Sequence, residues 1–186
     1  MQNGTENAQH AAEAAKRIKL MKRATYASVG VALTLITIKL SAWLYIGSVA
    51  LLGSLADSSL DLLASLTTLV AIHRAVEPAD REHRFGHGKL EAIAGLGQAA
   101  IIILSAFFLA YQSIDRFLHP RVIENSSVGI IVLVVSIALT LMLVRYQQKV
   151  ARNTGSLAIG ADSLHYKADL MMNVGVITAL LLSGYL

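Results

Sequence analysis

Apolar residues fall along this chain in five long runs, at about 24–46, 48–76, 90–114, 128–146 and 157–185, separated by short polar or charged links. A helix rises about 1.5 Å per residue, so roughly 20 apolar residues cross a bilayer core, and each run predicts one spanning helix. The expected fold is therefore all-α, a polytopic transmembrane bundle of five spans. Residues 1–23 are polar and Ala-rich, without the apolar core and cleavage site of a signal peptide; they read as a tail ahead of a transmembrane domain at 24–186. The link at Gly47 is so short that spans one and two must form a tight antiparallel hairpin. The link at 77–89 is charged, that at 115–127 is polar with a proline, and that at 147–156 is basic.

Composition agrees with this pattern. Of 186 residues, 55% are hydrophobic and 15% charged, far more apolar than a soluble domain of this size. The net charge of +4 does not point to nucleic acid, because the Lys and Arg residues lie in short blocks between apolar runs and form no basic face. Cysteine is absent, which excludes disulfides, iron–sulfur clusters and thiolate metal sites; any metal must be held by oxygen and imidazole.

Short cytoplasmic loops retain Lys and Arg, so the basic blocks orient the chain. Lys16, Arg17, Lys19, Lys22, Arg23, Arg74, Arg81, Arg84, Lys89, Arg145, Lys149 and Arg152 all fall on one side of the predicted spans. The other side has only Arg116 and Arg121, which places the N-terminus in the cytoplasm and, after five spans, the C-terminus outside. An odd span count that ends directly after an apolar run suggests a piece of a longer protein.

A charge in hydrocarbon costs several kcal/mol and marks function by default. Span two contains Asp57-Ser-Ser-Leu-Asp61, and span five contains His165-Tyr-Lys-Ala-Asp169. Residues four apart share a helix face, so each pair is a two-ligand edge. Counted from the ends of their spans, both pairs lie roughly 8 to 13 residues deep, near the midplane, where two edges at one depth can make a four-ligand site. Three carboxylates and one imidazole suit Zn²⁺ and tolerate Fe²⁺, Cd²⁺ or Mn²⁺. Without a cation, such carboxylates repel each other or take up protons. The competing reading is a structural polar network or a proton relay that holds no metal.

Other polar residues rank lower. Asp162 shares the face of His165 and Asp169, and reads equally as lining the inner entrance or as a structural hydrogen-bonding group. Lys39 and Lys167 lie near span interiors, where Lys snorkels or pairs with a carboxylate more readily than it takes a direct part in transport. His73 reads as interfacial, and Gly95, Gly97 and Gly160 as sites of close helix packing. In the charged link, Asp80, His83 and His87 follow at spacings of three and four and can converge on one ion, although the neighbouring glycines argue against a regular helix and loop histidines are more often simply solvated.

With Asp57-x-x-x-Asp61, the Phe85-Gly86-His87-Gly88-Lys89 stretch and His165-x-x-x-Asp169 in this order, the sequence resembles the cation diffusion facilitator family from about residue 24 to its end, most of all its bacterial members that export zinc and ferrous iron. The resemblance implies proton-coupled efflux of a divalent cation by alternating access, from a homodimer in a bacterial inner membrane. It implies a transport site at Asp57, Asp61, His165 and Asp169, and a second metal site at Asp80, His83 and His87. Members of the family carry a sixth span and a cytoplasmic, ferredoxin-like domain, neither of which is read in this sequence.

Two rival functions differ in kind. An intramembrane metallohydrolase would use a metal-bound water as nucleophile, but the chain has no His-Glu-x-x-His helix and no evident nucleophile, so an enzyme is not expected. A membrane metal sensor or partner-binding module without transport remains the alternative.

Overall fold

The computed structural model describes residues 2–47, 49–77, 81, 84, 86–118 and 127–183, and among these it contains helices and no strand. The helices are α1 (Gln2–Ile46), α2 (Val49–Ala75), α3 (Lys89–Leu118), α4 (Ser127–Thr154) and α5 (Leu157–Ser183). Each covers one of the apolar runs. At the start, α1 begins at Gln2, so the polar segment ahead of the first apolar run continues its helix. Its residues are mostly Ala, Glu, Gln, Lys and Arg, all strong helix formers, and it contains no proline.

The helices end where the sequence provides a stop. Gly47 adopts φ 70° and its amide bonds to the carbonyl of Trp43 at 2.7 Å, which closes α1 and turns the chain into α2. Gly155 adopts φ 72° and caps α4 in the same way through Ala151. Only glycine takes such left-handed conformations without a Cβ penalty. Ser156 then caps α5, its Oγ accepting from the amide of Ile159 at 3.3 Å.

Among the described residues, four helical stretches are long and apolar enough to cross a membrane: Glu6–Ile46, Leu51–Ala75, Lys89–Phe107 and Val128–Thr154. Helix α5 matches α2 in length, 27 residues each, but Asp162, Lys167 and Asp169 interrupt its apolar sequence. Polarity is distributed as in lipid-embedded bundles. Leu44, Leu96, Phe107 and Met142 are exposed by 71%, 72%, 72% and 65%, while Ser28, Ser65, Gln98, Gln147 and Asp162 are buried. Lipid imposes no cost on outward apolar side chains, and polar groups must find partners inside. The chain is thus an integral, multi-pass membrane protein.

Helix α2 packs between α1 and α3, α4 packs against α1 and α5, and α5 also contacts α3 and α2. All five helices meet in one apolar cluster toward the end that carries the basic blocks: Met21 and Ala24 of α1, Ile72 of α2, Ala94 of α3, Val150 of α4, and Ala158 and Ile159 of α5. A second cluster, Ala42, Leu51 and Val132, joins α1, α2 and α4 near the opposite end. Between them lies a polar layer, and α2 and α5 cross it side by side. Of the glycines expected at close packing, Gly95 meets another helix, its position for a Cβ lying 3.9 Å from the carbonyl oxygen of Leu157; Gly97 and Gly160 face open space within 4 Å and carry no such role.

Candidate metal centre

Helix α2 presents Asp61 and helix α5 presents His165 and Asp169 to a common point. Nε2 of His165 lies 3.1 Å from Oδ1 of Asp61 and 3.7 Å from Oδ2 of Asp169. Donor atoms of all three residues fall within 4.8 Å of one another. The imidazole is almost closed off, its side chain 4% exposed, while the Asp61 and Asp169 side chains are 14% and 22% exposed. Oδ2 of Asp169 is buried without a hydrogen-bond partner among the described residues, an acceptor directed into the cluster with its lone pairs unused.

Asp57 stands apart. It lies one turn before Asp61 on the same helix, as its spacing requires, but it is exposed and outside the three-residue cluster. The four-ligand convergence expected from spacing is therefore three residues plus an outlying carboxylate.

Among the described residues, the interior lysine forms no ion pair with a carboxylate. Lys39 of α1 is buried, and its Nζ donates to the Ser54 carbonyl at 3.1 Å and to Oγ of Ser58 at 2.6 Å, both on α2. Lys167, by contrast, is exposed. His73 is half-buried, 3.1 Å from the hydroxyl of Tyr26 and 2.9 Å from the carbonyl of Leu69.

Below the cluster, toward the basic end, Asp162 is fully buried, which removes the reading that it lines an entrance. It accepts from Oγ of Ser28 at 2.8 Å, from Nε2 of Gln98 at 3.3 Å and from Nε2 of Gln147. A hydroxyl has one proton to donate. Ser28 gives its proton to Asp162, so Ser65 donates to Ser28 across 2.7 Å, and Tyr166 donates to Ser65 across 2.8 Å. The chain of bonds thus reaches α1, α2, α3, α4 and α5. Sequence reasoning missed Ser28, Ser65, Gln98, Gln147 and Tyr166. The available signal was that each is a polar side chain inside an apolar run or, for Gln147, directly beside one, where polar groups need internal partners.

In the charged link, Asp80 and His83 lie outside the described residues. His87 is described and half-buried, and its carbonyl accepts from the amide of Leu90 at 2.9 Å at the start of α3.

Comparison with known proteins follows the same residues. The cation efflux transmembrane domain matches residues 25–186. The cation-efflux pump FieF of Shewanella oneidensis is 52% identical over 165 residues, which cover 89% of this chain and 56% of that protein. The proteins of the same name from Cronobacter sakazakii and Serratia proteamaculans are 46% and 45% identical over 167 residues, covering 90% of this chain and 56% of each relative. The chain spans little more than half the length of these relatives. With this match over nearly all of its helices, and with carboxylates and an imidazole gathered between α2 and α5, the chain belongs to the cation efflux transmembrane domain family.

Proposed function

We propose that the chain forms the membrane domain of a secondary active transporter that exports a divalent metal cation from the cytoplasm in exchange for protons. The observation that carries this reading is the convergence of Asp61, His165 and Asp169, with donor atoms within 4.8 Å, between two membrane helices. Two carboxylates and an imidazole at this separation suit a small divalent ion, and Asp57 offers a fourth oxygen one helical turn away. Zn²⁺ is the cargo that the donor set favours, because imidazole is a borderline ligand; Fe²⁺, Cd²⁺ and Mn²⁺ are alternatives. The names of the relatives, cation-efflux pumps, agree with this direction of transport.

Proton exchange follows from the ligands. Carboxylate and imidazole bind metal only when deprotonated, so metal and protons compete for the same atoms. If the site faces the two sides of the membrane alternately, protons entering from outside displace the ion there. The asymmetry of Lys and Arg supports a cytoplasmic N-terminus, and we assign the helical bundle to a bacterial inner membrane. We assign Asp80, His83 and His87 to a second, cytoplasmic metal site, and the working unit to a homodimer. No covalent step is involved, and no side chain acts as a nucleophile.

Flux of Zn²⁺ in proteoliposomes, with and without an imposed pH gradient, tests the proposal. Gradient-dependent flux that Asp61→Ala abolishes is the expected result. Stoichiometric binding without flux under any gradient would instead support the sensor or partner-module reading.

A further inference from the structure

Lys39 is a buried cation inside an apolar bundle, and its position needs an explanation that its hydrogen bonds do not supply. A charged side chain is normally kept in such a place by an opposite charge or by function. Its two partners, the Ser54 carbonyl and the Ser58 hydroxyl, are neutral. They nevertheless fix the ammonium on α2 beside the proposed ligands. Ser58 follows Asp57 directly and precedes Asp61 by three residues, less than one turn of the same helix. Through Ser58 the ammonium is held on the helix that carries Asp57 and Asp61, two of the acidic groups of the proposed site.

We infer that Lys39 is the fixed counter-charge of the metal site, an affinity-setting residue that matches the deprotonated ligand set to one divalent ion and limits how tightly the ion is held. The reasoning is electrostatic and rests on the transport-site reading above. With the ligands deprotonated to receive the ion, the carboxylates of Asp57, Asp61 and Asp169 and one ammonium carry a net charge of minus two, the ligating imidazole being neutral. One divalent ion makes that set neutral, the cheapest loaded state in a medium of low dielectric. Without the ammonium the ligand set would carry three negative charges against a divalent ion. It would bind metal more strongly and release it more slowly. Ser54 and Ser58 engage the ammonium, and an ammonium has no lone pair to offer a metal, so it opposes the ion by charge without occupying a ligand position.

The test is metal affinity in the full chain, purified in detergent, measured by calorimetry with Zn²⁺ and with Co²⁺. Release is followed by mixing the loaded protein with a chelator. Lys39→Met and Lys39→Gln are expected to bind each ion on the order of tenfold more tightly or better, and to release it correspondingly more slowly. Lys39→Arg, which keeps the charge, is expected to stay close to the unaltered protein. The sign of the change is decisive, since a residue that merely braces α1 against α2 would lower affinity on removal. Equal or weaker binding by the neutral variants overturns the inference. Should Lys39→Met not fold, Lys39→Gln carries the test, because its amide can still donate to Ser58. The underlying site assignment fails separately, if the unaltered chain binds neither ion or if Asp61→Ala binds as tightly as the unaltered chain.

Discussion

Nε2 of His165 lies 3.1 Å from Oδ1 of Asp61, although 104 residues separate the two in sequence. Each residue comes from a different membrane helix, so their approach fixes the rotation of α2 and α5 about their own axes. It also ranks the proposed ligands, with Asp61, His165 and Asp169 at the centre and Asp57 outside.

That ranking is measurable. Asp61→Ala or Asp169→Ala should weaken Zn²⁺ binding by more than the roughly 10- to 100-fold that loss of an outer-shell partner costs, since each removes a direct ligand. Asp57→Ala should cost distinctly less. Calorimetric titration of the three variants decides this, and equal losses at Asp57 and Asp61 would show that Asp57 ligates as strongly as the clustered residues.

Ligand type should govern selectivity. His165→Asp replaces the imidazole with a carboxylate, and an all-oxygen set favours harder or larger ions. Competition between Zn²⁺, Mn²⁺ and Cd²⁺ should therefore move away from Zn²⁺ in this variant. An unaltered ranking would mean that cavity geometry, and not donor chemistry, selects the ion.

Binding should weaken as the medium is acidified. The sign follows from linkage: metal requires deprotonated ligands, so each proton taken up by a carboxylate or by the imidazole competes with the ion. Titrations from about pH 8 to about pH 5.5, a range in which imidazoles in general take up protons, examine this. Equally tight binding throughout would end the antiport reading.

Asp162 should matter for stability. Asp162→Ala removes the acceptor shared by Ser28, Gln98 and Gln147 and leaves three donors without it in the buried layer. Interhelical hydrogen bonds in membranes average about 0.6 kcal/mol each, so the loss should be on the order of 2 kcal/mol. Thermal unfolding in detergent should show a lower midpoint for Asp162→Ala. A midpoint equal to that of the unaltered chain would mean that the layer adds little to the fold.

The sequence by itself determined the five helices, since apolar runs of spanning length leave the backbone no other way to satisfy its hydrogen bonds in lipid. It also determined the two ligand edges, because residues four apart share a helix face wherever that helix is placed. Spacing along one helix says nothing of how the helix turns toward its neighbours. Only the tertiary structure decided that Asp57 stands outside the cluster, that Lys39 bonds to Ser54 and Ser58, and that Gly95 and not Gly97 or Gly160 meets another helix. The same holds for Ser28, Gln98 and Gln147, which belong to three different helices and share nothing in sequence except that each is polar within or beside an apolar run. Their convergence on Asp162 depends on the rotation and relative height of several helices packed together, and no local pattern encodes that arrangement.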